Sequence, residues 1–254
     1  MNKQSKDVAT NVANTVQNRK VNGYKKPFTF KRKIAAFFNG IIFQKLGIVI
    51  CRLMVVIGRK RSDYIYNNSD YFRVSSLELI SYEIYANSIC GNVAEVGVFR
   101  GDFAQNINKA FPDRKLYLFD TFEGFDEKDI KLETNNNYSK DIHDFSNTNA
   151  ELVLRKMLFR ENCIVKKGYF PKTAEGLEDT FVFVSIDVDL YEPTYNALCY
   201  FFPRLQQGGY IFIHDYNDGK RYTGVKEAVL KYCKENKIPY FPLSDNCGSV
   251  VIMK

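Results

Sequence analysis

The sequence lacks several patterns that would assign it at once to a familiar protein class. Its six cysteines form no Cys-x-x-Cys pair, and several lie in apolar stretches, which favours buried free thiols in a reducing compartment over disulfides. The first thirty residues have no apolar core, so no secretory signal is expected. The dinucleotide fingerprint G-x-G-x-x-G is absent, and no internal repeat is visible. These absences argue against a disulfide-stabilised secreted domain and a dinucleotide-binding loop.

The composition is that of an ordinary globular protein, with 45% hydrophobic and 26% charged residues among 254. The net charge of +7 is unevenly distributed, because residues 1–61 are rich in lysine and arginine. This distribution indicates an appended basic segment and not a basic fold. We predict a basic flexible tail at 1–33, an amphipathic helix at 34–61 and one large domain at 62–254.

The stretch 34–58 is apolar, but polar and basic residues interrupt it. Lys45 and Arg52 are seven residues apart, so they lie on nearly one face of a helix. Such a helix packs on the core or on a partner subunit of a homo-oligomer, or it lies on an anionic membrane surface. A bilayer span is disfavoured because about twenty mostly apolar residues are needed. We expect a cytoplasmic protein, with peripheral contact at the inner face of the membrane left open.

From residue 70 onward, segments of helical periodicity alternate with short apolar runs. Helices are predicted at 70–90 (capped by Ser75 or Ser76), 101–111, 148–159, 195–202 and 222–235, and 126–147 is predicted to be a long surface loop. Strands are predicted near 92–96, 115–120, 163–168, 181–189, 208–213, 238–241 and 248–253, with the last two antiparallel. The pattern predicts an α/β fold with a Rossmann-like, doubly wound seven-stranded sheet and an N-terminal helical extension.

Two of the predicted strands end in side chains that can bind a cation. Asp187 and Asp189 end one predicted strand, and His214 and Asp215 end the next. Neighbouring parallel strands bring such residues to a common rim, where like charges repel unless a positive charge lies between them. Oxygen ligands with one imidazole suit Mg²⁺ or Mn²⁺ better than zinc. The alternative is that aspartate simply ends strands, since it favours turns.

The first two strands carry the features of a nucleoside-binding loop. Glu95, Gly97 and Gly101 form the pattern E-x-G-x-x-x-G, in which glycine lets the backbone approach a ligand closely. Asp120 ends the second strand, where a carboxylate can accept both hydroxyls of a ribose. The loop at 121–125 could cover the nucleoside. His143, in the predicted long loop, is interpreted as a solvated residue and not as a ligand.

The sequence resembles the class I S-adenosylmethionine methyltransferases in five blocks. These blocks are, in chain order, E-x-G-x-x-x-G, F-D-T-F-E-G-F, G-Y-F-P-x-T, S-I-D-V-D-L-Y-E-P-T and G-G-Y-I-F-I-H-D-Y. More narrowly, residues 75–254 are similar to the macrocin O-methyltransferase group of sugar O-methyltransferases. The resemblance implies a cofactor site, a metal site for Mg²⁺ or Mn²⁺ and a general base. The implied cofactor residues are Glu95, Gly97, Gly101, Asp120, Thr121 and Phe122; the metal ligands are Asp187, His214 and Asp215; and the base is Asp189.

The chain departs from that group at His214, where the group often has aspartate. The substitution removes one negative charge from the metal site, which favours Mn²⁺ relative to Mg²⁺ if His214 is a ligand. The implied reaction is methylation of a sugar hydroxyl, with the sugar in a polysaccharide, a glycolipid or a glycosylated metabolite. Two other hypotheses stay open at this point: an NAD-dependent sugar-modifying enzyme, and a nucleic-acid-binding protein that uses its basic N-terminus, although the core is not basic.

Overall fold

A computed structural model describes residues 34, 37–38, 45, 70–139, 143–219 and 221–254, and the chain divides into two units at 59/60. The predicted basic tail at 1–33 lies outside these residues, as does most of the predicted helix at 34–61. The placement of that helix on the core, a partner or a membrane therefore stays a prediction. Within the described part, no helix is both long and apolar enough to cross a bilayer.

Seven strands form one sheet, which confirms the predicted fold class. They are β1 (Asn92–Val96), β2 (Leu116–Asp120), β3 (Cys163–Lys167), β4 (Phe181–Ile186), β5 (Leu205–Ile213), β6 (Tyr240–Pro242) and β7 (Val250–Met253). Their order across the sheet is β3-β2-β1-β4-β5-β7-β6. The first five strands are parallel, whereas β7 runs antiparallel to both β5 and β6. The chain order therefore reverses direction between β1 and β4, where doubly wound sheets bind ligands.

Helices cover both faces of this sheet. They are α1 (Tyr71–Ala86), α2 (Ala104–Ala110), α3 (Glu127–Asn135), α4 (Ala150–Lys156), α5 (Tyr191–Arg204) and α6 (Thr223–Asn236). Side chains of α1, α2 and α4 pack in one apolar cluster and those of α5 and α6 in another. Successive strand residues alternate between the two clusters, as Phe183 and Val184 of β4 do. Burial on both faces explains why the strands are continuous apolar runs.

Two local predictions were wrong. Helix α1 begins after Asp70, whose Oδ1 accepts a hydrogen bond from the backbone N–H of Arg73 at 3.3 Å. Ser75 and Ser76, the two predicted caps, lie inside the helix, and Ser75 donates to the carbonyl of Phe72. The predicted loop at 126–147 contains α3, which Asp126 caps through the backbone N–H of Lys128 at 2.8 Å. The polar, Asn-rich composition of the segment hid that helix.

The described cysteines are free, as expected, but their burial was predicted incorrectly. Cys90, Cys163, Cys199, Cys233 and Cys247 form no disulfide, and of these five only Cys233 is buried. Cys199 lies in an apolar stretch of α5 yet is exposed. A helix turns its residues to different sides, so an apolar neighbourhood in sequence does not fix the burial of one side chain.

Backbone contacts join the carboxyl ends of the four central strands into one edge. The N–H of Asp187 donates to Val96 at 2.8 Å, that of Gly97 donates to Phe119 at 2.9 Å, and that of His214 donates to Ile186 at 2.9 Å. Gly97 has a φ of 82°, and a Cβ there would lie 1.9 Å from the carbonyl oxygen of Asp187. No side chain fits at that point, so the loops after β1 and β4 touch backbone to backbone.

Candidate active site

A cavity of about 400 Å³ opens at the carboxyl edge of the sheet. Eight of the ten predicted site residues line it: Glu95, Gly97, Asp120, Thr121, Asp187, Asp189, His214 and Asp215. The cavity has two parts, since one group follows β1 and β2 and the other follows β4 and β5. The volume falls in the range of ordinary small-molecule sites.

Gly101 and Phe122 do not line the cavity, and their predicted contact with a cofactor stays a prediction. A Cβ at Gly101 would lie 2.9 Å from Cγ1 of Val153, so this glycine permits close packing of α4. The ring of Phe122 is buried in the apolar core, with 5% of the residue exposed. Its backbone N–H donates to Oδ1 of Asp120 at 2.6 Å. Both residues therefore support the loops that surround the cavity.

Asp187 lies between two cationic side chains. Its Oδ2 accepts a hydrogen bond from Nη1 of Arg73 at 2.9 Å, and its Oδ1 lies 3.1 Å from Nδ1 of His214. Burial opposes ionisation of Asp187, but the charges of His214 and Arg73 outweigh it and hold the pKa of the carboxyl well below its usual range. Asp187 is therefore a carboxylate in the folded protein.

Asp189 and Asp215 complete an acidic cluster with Asp187. One carboxylate oxygen from each of the three lies within 4.8 Å of the other two. Strand β4 ends at Ile186, and Asp189 follows in a turn with a φ of 62°, so the predicted extension of the strand through both aspartates is wrong. The turn, and not strand alternation, directs both side chains to one place. Burial, followed by the charges of Asp215 and Asp187, raises the pKa of Asp189 well above its usual range.

The imidazole of His214 bridges two of these acids. Its Nδ1 is 3.1 Å from Oδ1 of Asp187 and 2.9 Å from Oδ2 of Asp215. Burial alone would lower the pKa of His214, but the negative charge of Asp187 and hydrogen bonds to both acids raise it to about 10. A positive charge thus lies between two carboxylates, which is the position that a bound cation would take.

Sequence reasoning missed Arg73, which is 5% exposed. Besides binding Asp187, its guanidinium donates to Oγ of Ser185 at 3.0 Å and lies 3.8 Å from the ring centroid of Phe103. A signal was present in the sequence, because Arg73 precedes Leu77 by four residues and therefore lies on the buried face of α1. A charged residue in such a position indicates a buried ionic partner.

Glu95 and Asp120 face the other part of the cavity in different ways. Glu95 is 1% exposed, and its Oε2 has no hydrogen-bond partner in the part of the chain that the structure describes. Burial raises the pKa of Glu95 well above its usual range, and the charge of Arg73 only partly opposes this. Oδ2 of Asp120 accepts from the N–H groups of Val98 and Phe99, each at 2.7 Å. Asp120 therefore fixes the loop after β1, and its carboxylate also borders the cavity.

Aromatic rings form a wall along the cavity. The ring of Phe145 lies 5.1 Å from that of Phe99, 5.3 Å from that of Phe125 and 6.0 Å from that of His143. His143 is exposed in a loop, as predicted, although its ring also contacts Tyr222. Tyr222 is 4% exposed, and among the described residues its hydroxyl has no partner of hydrogen-bonding geometry. Its pKa is raised to about 12 by burial and the charge of Asp189.

Asp129 on α3 was also missed and borders the cavity beside Tyr169. The Tyr169 hydroxyl donates to its Oδ1 at 3.1 Å. Burial, opposed in part by this hydrogen bond, raises the pKa of Asp129 to about 6. Because the folded pKa exceeds the unfolded value, the folded state is most stable with Asp129 protonated, and that stability is lost as the pH rises through about 6.

We expect Asp129→Asn to stabilise the protein at pH 8 by about 1 kcal/mol, allowing for solvent in the cavity, which is about 2–4 °C in Tm. At pH 5 the gain should be much smaller, because the wild-type carboxyl is then largely protonated. Thermal unfolding of both proteins at the two pH values measures the difference. The control is Glu127→Gln on the exposed face of the same helix. A gain in stability that is equal at both pH values would contradict the raised pKa of Asp129.

The open sheet, the glycine turn after β1 and the acid-lined cavity at the carboxyl edge are those of the α/β methyltransferase fold. The chain belongs to the macrocin O-methyltransferase family, whose model matches residues 66–247. A solved structure of the O-methyltransferase NovP aligns with a TM-score of 0.59 and 22% identity, covering 72% of this chain and 80% of that chain. The calicheamicin methyltransferase CalS11 aligns with a TM-score of 0.58 and 18% identity, covering 71% of this chain and 78% of that chain. Both show the same fold.

The curated relatives are O-methyltransferases by their names, and the name of the first includes a rhamnosyl group. A tetracenomycin-C 4′-O-methyltransferase from Streptomyces olivaceus is 28% identical over 57% of this chain and 60% of its own length. Mycinamicin III 3″-O-methyltransferase from Micromonospora griseorubida is 27% identical over 63% of this chain and 67% of its own. The chain thus matches about three fifths of the first relative. Family membership favours methyl transfer over the NAD-dependent and nucleic-acid hypotheses.

Proposed function

We propose that the protein transfers a methyl group from S-adenosylmethionine to a hydroxyl of a sugar-containing acceptor, with help from a divalent cation. The observation that carries the proposal is the two-part cavity, in which a nucleoside-type half adjoins a cluster of three carboxylates. The relatives named for glycosylated metabolites support a glycoside as the acceptor.

The cofactor half suits S-adenosylmethionine. The cofactor supplies an electrophilic methyl sulfonium, and this half offers backbone access at Gly97 and a carboxylate at Asp120. Glu95 has a buried oxygen without a partner, which costs free energy until a donor reaches it. An ammonium or hydroxyl group of the cofactor would relieve that cost. Asp120 would accept the ribose hydroxyls while it holds the N–H groups of Val98 and Phe99.

The carboxylate cluster suits a divalent cation held by Asp187, Asp215 and His214. Such an ion lowers the pKa of a coordinated hydroxyl and orients it. The cluster concentrates negative charge, and after burial the charges of Asp215 and Asp187 are what raise the pKa of Asp189. Additional positive charge near Asp215 would lower the pKa of Asp189 and let it accept a proton.

Asp189 is the proposed general base. Its carboxylate lies beside the other two acids, and its charge acts on the hydroxyl of Tyr222. The buried Tyr222 hydroxyl lacks a partner, so it can bind an oxygen of the acceptor sugar. The proton would move from the acceptor hydroxyl to Asp189, and the resulting oxygen would attack the methyl group in line with its sulfur.

Two assays on the full-length protein test this proposal. Calorimetry should detect binding of S-adenosylmethionine, and mass spectrometry should detect an acceptor heavier by one methylene among glycosides and nucleotide sugars. Asp120→Ala should weaken cofactor binding. Because Asp120 also holds a loop, S-adenosylhomocysteine and its 2′-deoxy analogue are compared: the wild type should discriminate between them and the variant should not. Absence of any cofactor binding to the intact protein would overturn the proposal.

A further inference from the structure

Cys247 brings a sulfur atom to the acidic cluster, a contact that no sequence pattern indicated. One atom each from Cys247, His214 and Asp215 lies within 4.8 Å of the other two. Cys247 is also part of the cavity lining. Sulfur, imidazole nitrogen and carboxylate oxygen at this spacing form a mixed ligand set, which differs from the all-oxygen sites that magnesium prefers.

The loop that carries Cys247 is held against the segment after β5. The N–H of Asn217 donates to the carbonyls of Cys247 and Gly248, at 3.3 and 3.1 Å. A Cβ at Gly248 would lie 2.6 Å from Cβ of Asn217, so the two segments are in close contact. Asp245 anchors the other side of the loop by accepting from the N–H of Ser249 at 2.5 Å. Both loops therefore fix the position of the Cys247 thiol.

The surroundings of His214 match those of a metal-binding histidine. One of its ring nitrogens and a carboxylate oxygen each from Asp70 and Asp245 lie within 4.8 Å of one another. Oδ2 of Asp245 is buried and has no hydrogen-bond partner within residues 70–139, 143–219 and 221–254. Histidines that bind metal ions usually donate the other ring N–H to a carboxylate, which orients the ring. Asp245 is available for that purpose.

We propose that Cys247, His214 and Asp215 bind a transition-metal ion of the Mn²⁺ to Zn²⁺ series, with the thiolate of Cys247 as a direct ligand, in preference to Mg²⁺. The inference rests on the metal assistance proposed above and makes it specific to this chain. Nitrogen and sulfur ligands favour the later ions of this series, whereas magnesium demands oxygen ligands and retains its water. On binding, the thiol releases its proton to solvent and the sulfur lone pair forms the bond to the ion.

Cobalt(II) absorption provides the test, because thiolate coordination gives a near-ultraviolet charge-transfer band. The full-length protein is treated with a chelator, desalted and titrated with Co²⁺ in the presence of excess Mg²⁺. We expect the band in the wild type and its loss in Cys247→Ser, with Co²⁺ affinity reduced at least about tenfold. Cys90→Ser is the matched control, since Cys90 is an exposed free thiol outside the cavity lining, and it should keep the band.

Co²⁺ binding without the band in the wild type, or a band that persists in Cys247→Ser, overturns the proposal. Failure to bind any divalent ion overturns both the thiolate ligand and the metal assistance. Methyl transfer is measured separately with added Mg²⁺, so O-methylation is judged on its own. If activity with Mg²⁺ is intact in a protein that shows no sulfur band, only the thiolate ligand is rejected.

Discussion

Arg73→Met should lower the free energy of unfolding by about 3–5 kcal/mol, the cost of leaving one partner of a buried ion pair alone. The guanidinium of Arg73 forms an ion pair with Oδ2 of Asp187 and donates a hydrogen bond to Oγ of Ser185. Methionine fills much of the same volume, so the loss reports the charge and its hydrogen bonds more than a cavity. Urea denaturation of the wild type and the variant measures the change.

Two further variants separate the ion pair from the weaker contact. Ser185→Ala removes one hydrogen bond and should cost about 1 kcal/mol. In the double variant Arg73→Met with Asp187→Asn, the unbalanced charge is absent, so a large part of the stability should return. Additive losses in the double variant would mean that Arg73 and Asp187 do not depend on each other, contrary to their 2.9 Å contact.

Asp189→Asn should lower kcat by about 10²–10⁴-fold, the usual contribution of a positioned proton acceptor. Asparagine has nearly the same shape but cannot accept the proton of the acceptor hydroxyl. Because the pKa of Asp189 is raised, the site without a metal ion favours the protonated form, which asparagine resembles. We therefore expect cofactor affinity and thermal stability to be maintained while turnover is lost.

The measurement pairs steady-state kinetics with calorimetric binding of S-adenosylmethionine and thermal unfolding. Glu175→Gln, at an exposed position away from the cavity, should leave all three unchanged. A kcat within tenfold of the wild type would remove Asp189 as the base and direct attention to Asp215 or to solvent. A loss of stability equal to that of Arg73→Met would instead point to a structural role.

The parallel sheet could be predicted because its signal is local. Runs such as Phe181–Ile186 are apolar and short, and glycine or aspartate ends them. The positions of Asp187 and Asp215 followed from a general property of parallel sheets, whose carboxyl ends meet at one edge. Helix α3 was missed because its buried residues are acids and form no apolar stripe. One of them, Glu133, accepts a hydrogen bond from the backbone N–H of Tyr191, the first residue of helix α5.

The sequence could not predict those parts of the site that depend on contacts between residues far apart in the chain. Arg73 precedes Asp187 by 114 residues, and nothing in either segment indicates which acid the guanidinium binds. Cys247 lies in a loop whose path depends on Asn217, so its distance from His214 has no signature in the sequence. The side chains at the ends of strands could be predicted, whereas those brought in by helix orientation and loop path required coordinates.

The backbone contact between Gly97 and Asp187 limits how this enzyme could change its acceptor. Since the loops after β1 and β4 touch without intervening side chains, neither can move without displacing the other. In the proposed mechanism, this contact would set the distance between the methyl donor and the proposed base Asp189. Adaptation to a new sugar must therefore occur in replaceable parts, such as the aromatic segment around Phe145 and the turn before Tyr222. Grafting those segments between relatives is a rational route to altered specificity.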